Sequence, residues 1–246
     1  MAQSFVRLHT VTSTNNYLAK LVSPQLMEGA AIFTDEQTAG KGQNGTHWLA
    51  EPAKNILTSV FFRPKFLLPE QQFYLSQAVA LAVYDFLCFY LPQNEVLIKY
   101  PNDVYFQNKK IAGILIENTL SGTQIVACIV GVGININQVL FENGLDTASS
   151  LKKITGKTYD LEELMAQFYG CLEARYLALK SGGFTKTSTE FTRNMLGYQT
   201  LRSFEVLETG VVFEGEILGV AAGGRLAILH KNKIELFGTK TLKFIF

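Results

Sequence analysis

The chain has 246 residues, 48% of them apolar, 12% aromatic and 17% charged. A chain of that length and composition buries roughly 70–75% of the surface its unfolded form exposes, enough for one large domain or a large one with a small one, and disorder is excluded. Lys plus Arg at 22 against Asp plus Glu at 21 leaves +1. With no basic block, nucleic-acid binding driven mainly by charge is excluded too. Cys88, Cys128 and Cys171 lie far apart, without metal-ligand spacing or a disulfide framework, which fits a reducing compartment. The longest apolar run, 125–134, is about half of what a membrane span needs, and no signal-peptide core opens the chain, so a soluble, cytoplasmic protein is expected.

Phe5 to His9 reads as a first strand. Thr12-Ser13-Thr14-Asn15 then offers N-cap candidates for a helix through Tyr17, Leu18 and Leu21. Ala30 to Thr34 and Ile56 to Phe62 are strands, separated by a polar, glycine-rich connection, Asp35 to Asn55, of a length that is usually functional or mobile. Glu70 to Leu91 is too densely apolar for a surface helix and predicts a mostly buried one. Val96 to Tyr100 is a strand ended by Pro101; Val104 to Phe106 and Ile111 to Ile116 form a hairpin turned at 107–109; Ile125 to Ile136 is a long β-branched strand. Leu161 to Leu179 has helical spacing, with an interior Gly170 that costs about 1 kcal/mol relative to alanine. After Gly197 the pattern changes to short β runs, Leu201 to Leu207, Val211 to Val220, Arg225 to His230, Ile234 to Phe237 and Leu242 to Phe246, the spacing of a small β-barrel. The expectation is an α+β fold, a mixed sheet covered by helices on one face, with domains over 1–196 and 197–246.

The 40–45 segment Gly-Lys-Gly-Gln-Asn-Gly matches G-x-G-x-x-G, a weak signal alone. It leads into a strand rather than a helix, and Val60 to Arg63 stand where a dinucleotide-binding acid belongs, so the Rossmann reading fails. Kinase and P-loop companions are absent. Physically, the glycines allow close backbone approach, amides can face an anion and Lys41 adds a positive charge; an ordinary flexible loop is the alternative. Trp48, the sole tryptophan, could cover an aromatic ligand or anchor the loop, and by itself favours anchoring.

A second cluster is Lys99-Tyr100-Pro101-Asn102-Asp103 with Lys110 and Gly113; a lysine beginning an apolar strand is costly unless it faces a cleft or an anion. A third, Gly131-Val132-Gly133-Ile134-Asn135, puts glycines inside a β-branched strand, where they mark close approach by a ligand or another backbone. His9, His47 and His230 are scattered, and no nucleophile is paired with a base. Such clusters suit chemistry between two bound partners, done by positioning and charge stabilisation, with a phosphate transition state as the natural candidate.

In order and spacing, the 12–15 segment, Gln37 to Gly45 with Trp48, 99–103, 110–115, 131–135 and Ala148-Ser149-Ser150-Leu151 resemble the biotin protein ligases, and the β-rich tail resembles their SH3-like C-terminal domain. The resemblance implies a catalytic domain of the class II synthetase-like biotin/lipoate ligase type. It implies a reaction in which biotin and magnesium-ATP give biotinyl-5′-AMP, after which a lysine of biotin carboxyl carrier protein, an acetyl-CoA carboxylase subunit or the like, attacks the mixed anhydride. In that pattern Ser13, Thr14, Asn15, Gln37, Lys41, Gly42, Gln43, Lys110, Gly113 and Gly133 hold biotin. Lys41, Gln43, Trp48, Asn102, Asp103, Lys110 and Asn135 line the nucleotide, Lys41 and Lys110 being catalytic, with no metal ligand assigned on the chain. The usual loop, Gly-Arg-Gly-Arg-x-Gly-Arg/Asn-x-Trp, is altered at Lys41, Gln43 and Thr46, and the family's tryptophan before Pro101 is Tyr100, so retention of the adenylate would rest more on backbone amides. Catalytic motifs beginning within fifteen residues of Met1 imply a monofunctional form without the DNA-binding domain. A lipoate ligase and a non-catalytic biotin-binding module are the competing readings. A second copy could pair through a sheet edge, and neither DNA nor membrane is an expected partner.

Overall fold

The computed structural model describes residues 5–141, 147–239 and 241–245; Phe246, expected in the last strand, lies outside them. Seven strands, β1 (Phe5–Val11), β2 (Ala31–Gln37), β3 (Ile56–Phe62), β4 (Val96–Lys99), β5 (Asp103–Phe106), β6 (Lys109–Ser121) and β7 (Gln124–Ile134), form one sheet in the order β1-β2-β3-β7-β6-β5-β4. Only β1 and β2 run parallel; the other neighbours are antiparallel. The helices are α1 (Thr14–Leu21), α2 (Phe73–Cys88), α3 (Leu151–Thr155), α4 (Leu161–Lys180) and α5 (Phe184–Arg193).

Alternation along each strand divides the sheet into two unlike faces. Val130, Val132 and Ile134 of β7 enter the main core with α2 and α4. The continuous apolar run of α2 has a physical reason: the sheet, α4 and α5 surround it, and Val79, Val83, Phe86 and Leu87 are fully buried. Arg175 of α4 ties this layer together, donating twice to Asp85 of α2 at 2.6 and 2.8 Å and once to Glu190 of α5. The two carboxylates hold its guanidinium charged above even the usual arginine value, against the desolvation that lowers it.

The helices do not all lie on one face. Leu18 of α1 packs on Ile32, Phe61, Ala127 and Ile129 across the opposite side. With eight residues, α1 covers only part of that side. The same alternation carries Gly131 and Gly133 onto the α1 face, where β6 pairs Gly113 with Gly133 and Leu115 with Gly131. A partly uncovered stretch of sheet, paved with glycine, results.

The tail forms a second, antiparallel sheet of β8 (Leu201–Val206), β9 (Val212–Val220), β10 (Leu226–His230), β11 (Lys233–Phe237) and β12 (Leu242–Ile245), in the order β11-β10-β9-β8-β12. Among the described residues β11 and β12 do not pair, so the expected barrel is not closed. Instead the sheet wraps the rings of Phe204, Phe213, Phe237 and Phe244. The two sheets meet where the Tyr100 hydroxyl donates to Gly224 O at 2.6 Å and Phe73 lies against Gly224. The outer edge of β4 is occupied as well, since Ile98 N donates to Asn194 O and Leu196 N to Ile98 O. Among the described residues no helix is long and apolar enough to cross a membrane.

Candidate functional site

Four segments distant in sequence converge on a cleft of about 240 Å³ on the α1 side of the sheet. The first is the start of α1. Ser13 is 2% exposed, has extended backbone angles and occupies the N-cap position, yet its hydroxyl makes no capping bond and lines the cleft. The amide and hydroxyl of Thr14 both donate to Gln37 Oε1, at 2.8 and 3.1 Å. With its oxygen taken, Gln37 has its NH2 group to offer a ligand. Ser59 of β3 lies 2.7 Å from Thr14 Oγ1 and 2.5 Å from Asn15 Oδ1, its hydroxyl shared between them. Asn15 donates to Glu117 Oε2 at 2.7 Å and Leu115 O at 3.3 Å, so its own groups are spent inside the protein. It lies over Gly131, where any Cβ would come within 3.0 Å of its side chain.

The glycine-rich connection is the second segment. β2 runs on to Gln37, shortening the expected loop at its start, and the rest closes on itself: Gly42 N donates to Thr46 O at 2.7 Å and Trp48 N to Gly40 O at 3.0 Å. A Cβ on Gly40 would meet Trp48 O, and one on Gly42 would meet Thr46 Oγ1. These two glycines allow the close approach of the loop's own legs. Gly45 has φ +76°, which only glycine adopts cheaply. Lys41 Nζ reaches back to Asn16 Oδ1 of α1, at 2.6 Å.

Asn102, Asp103, Lys110 and Gly113 form the third segment, and Gly131, Val132 and Gly133 the fourth. Lys110 does face the cleft, 2.7 Å from Asp103 Oδ1 and 5.5 Å from the centre of the Trp48 ring. Its backbone is held by the 147–149 segment, with Lys110 N donating to Thr147 O and Ser149 N to Lys110 O. Asn102 Nδ2 donates to Ile114 O at 2.7 Å, fixing the turn after the cis Tyr100–Pro101 peptide. The indole of Trp48 fills the space that side chains at 113 and 133 would take, and its buried Nε1–H has no partner among the described residues. An unpaired buried donor at a cleft wall is a group awaiting an acceptor. Behind Asp103, Lys99 packs on Tyr105 and Phe244; burial pushes its pKa down, Asp103 opposes this and Lys110 adds to it. The same burial raises the Tyr100 phenol to about 12.

Ser13, Thr14, Asn15, Gln37, Lys41, Gly42, Gln43, Trp48, Asn102, Asp103, Lys110, Gly113 and Gly133 all line this cleft. Asn135 does not. It lies beyond the end of β7, 4% exposed, and donates to Ser149 O at 3.0 Å, securing the segment that leads into α3. The site residues assigned from sequence leave out Thr46, His47, Thr58, Ile114, Leu115, Gly131 and Val132 of the lining, and Ser59 and Glu117, which bond Asn15 behind it. Two signals were available: a Thr-Ser pair inside an apolar strand, and a glutamate two and four residues along from Leu115 and Gly113.

The comparisons agree with this geometry. Residues 7–135 match the Biotin/lipoate A/B protein ligase family. The bifunctional ligase/repressor BirA of Bacillus spizizenii is 30% identical over 239 residues, covering 96% of this chain and 72% of that protein. The biotin–[acetyl-CoA-carboxylase] ligase of Paracoccus denitrificans is 35% identical over 160 residues, 63% of this chain and 65% of its own. Among solved structures, the biotin protein ligase from Aquifex aeolicus in complex with biotin and ATP superimposes with a TM-score of 0.81 at 26% identity, covering 99% of both chains. Fold, cleft and sequence thus lead to one conclusion: the chain belongs to the biotin/lipoate protein ligase family.

Proposed function

We propose that the protein is a biotin protein ligase, which joins biotin to AMP and transfers the biotinyl group to a lysine of a biotin carboxyl carrier protein. The convergence of four separate segments on one cleft, between the Ser13 hydroxyl and the Lys110–Asp103 pair, carries the reading. A biotin carboxylate oxygen attacks the α-phosphorus of ATP, the bond to the β,γ-diphosphate breaks, and pyrophosphate leaves. Negative charge gathers on the α-phosphoryl oxygens as this happens, and Lys110 is the ammonium suited to meet it, oriented by Asp103 and by backbone bonds to 147–149. In the second step the acceptor amine attacks the biotinyl carbonyl and AMP departs, so the chain needs no nucleophile of its own.

Ser13 and Gln37 line the cleft, and their hydroxyl and NH2 groups suit a neutral polar ring. Trp48 supplies an aromatic surface and an unpaired donor at the nucleotide side. Magnesium belongs to the substrate as the ATP complex: Asp103, the carboxylate in the cleft lining, is committed to Lys110. Among the described residues β1 is an edge strand of the large sheet, unpaired on its outer side, through which a second copy could pair. The test is incubation with labelled biotin, ATP and a carrier domain. Covalent label on the carrier, with pyrophosphate release abolished in Lys110→Ala, supports the reading. Thermal stabilisation by lipoate and not by biotin would reassign the substrate.

A further inference from the structure

We propose that Lys41, Asn16 and Glu117 form a clasp that locks the glycine loop shut over the inner end of the cleft, and that Glu117 is a positioning residue for biotin. The inference rests on the ligase reading and gives Lys41 a different task from charge stabilisation. Lys41 Nζ donates to Asn16 Oδ1 at 2.6 Å and lies 3.8 Å from Glu117 Oε1. The other carboxylate oxygen of Glu117 accepts from Asn15 Nδ2 at 2.7 Å. One carboxylate therefore holds both a residue of the cleft floor and the cation of the loop that covers it.

The two lysines of the site point to separate places. Lys110, next to the start of β6, is bound to Asp103. Lys110 Nζ lies 3.3 Å from where a Cβ on Gly113 would stand, and Glu117 is four positions beyond Gly113 on the same strand, about 13 Å at the usual rise per residue. The ammonium of Lys41 is thus anchored at the end of the cleft that holds Asn15 and Leu115, away from the phosphate-side pair. Because the 40–48 hairpin is closed by its own backbone bonds, fixing Lys41 fixes Trp48 with it. Both partners of the ion pair are a little over 40% exposed, so the clasp is a rim contact that water and salt can reach. A ligand enclosed beneath the loop cannot leave until that contact opens.

The experiment measures dissociation of labelled biotin from the wild type, Lys41→Met, Glu117→Gln and the double variant, at low and high salt. Glu117→Gln keeps an acceptor for Asn15 and removes only the charge facing Lys41, separating the clasp from the floor. Each single change should speed dissociation about two- to tenfold. The double variant should be no faster than the faster single one. Added salt should speed release from the wild type and leave Glu117→Gln unmoved. In steady state, KM for biotin should rise more than KM for ATP. Additive effects, or a Lys41→Met enzyme with raised KM for ATP and unchanged biotin release, would overturn the clasp and return Lys41 to the phosphates, leaving the ligase reading intact. Failure of the wild type to bind biotin at all would overturn both.

Discussion

Replacing Gly131 with alanine puts a methyl group where Asn15 Oδ1 now lies, well inside 3.0 Å. Asn15 has nowhere to retreat, being 3% exposed and bonded to Ser59, Leu115 and Glu117. To make room it must give up the bond from Ser59, worth about 1 kcal/mol net, and the charge-assisted one to Glu117, worth about 1.5–3 kcal/mol. The expected loss of stability is therefore about 2.5–4 kcal/mol. At about 2–4 °C per kcal/mol for a chain of this size, the melting temperature should fall by roughly 5–15 °C. Ser13 and Thr14 move with Asn15, and a misplacement on the order of 1 Å at a binding group should raise KM for biotin at least about tenfold. Scanning calorimetry and biotin titration of pyrophosphate release read the two effects. Asn15→Ala is the control: with the obstructing side chain gone, Gly131→Ala should add almost nothing to it, a coupling as large as its own single effect, about 2.5–4 kcal/mol. Strictly additive changes, or a Gly131→Ala enzyme that melts and titrates like the wild type, would refute the argument.

Three further predictions concern other parts of the chain. A Cβ on Gly170, in the middle of α4, meets nothing within 4 Å, so Gly170→Ala should stabilise by about 1 kcal/mol and raise the melting temperature by about 2–4 °C; a fall would show hidden crowding. Burial pushes the Glu28 carboxyl up, but bonds from the Tyr176 hydroxyl, Lys180 and Arg63 N outweigh it and hold the pKa below the ordinary value. A carboxylate held low stabilises the fold fully above its unfolded pKa of about 4.3 and loses that contribution as pH falls through the folded value. Glu28→Gln should accordingly be less stable than the wild type at neutral pH and converge with it in acid unfolding curves; a gap that widened in acid would reverse the sign. Gln43 lines the cleft as a neutral side chain. Gln43→Arg supplies a forked donor for phosphate and should slow release of the adenylate in a chase assay, and unchanged release would count against the role.

Much of this was legible in the sequence because alternation and helical spacing report burial. β3 begins and ends at the predicted residues, and the apolar crowding of Glu70 to Leu91 foretold a helix with neighbours on several sides. What the pattern hid has physical causes. α3 is five residues long, and α5, Phe184–Arg193, buries chiefly Thr187 and Phe191, so neither shows a sustained apolar stripe. The tail shows five short strands, but whether a sheet closes depends on pairing between its ends, which no local run encodes. Asn135, expected beside the nucleotide, stands outside the cleft lining and bonds to Ser149 O. Two polar residues at one strand end look alike in sequence, and only the register decides which faces ligand and which holds the next turn.

The glycines of β6 and β7 tie these observations together. At 113, 131 and 133 the sheet lacks side chains on the one face that α1 leaves partly bare, and the vacant volume is filled from outside, by Asn15 at one end and Trp48 at the other. Gly131 and Gly133 are two residues apart on one strand, so these two plugs enter the floor about 7 Å from each other. One belongs to a helix start pinned by Ser59 and Glu117, the other to a loop held by its own hairpin bonds and by Lys41. The two plugs therefore hang on separate anchors. Side chains at the three glycine positions would exclude both walls at once, which is why the cleft's shape depends on what these strands omit.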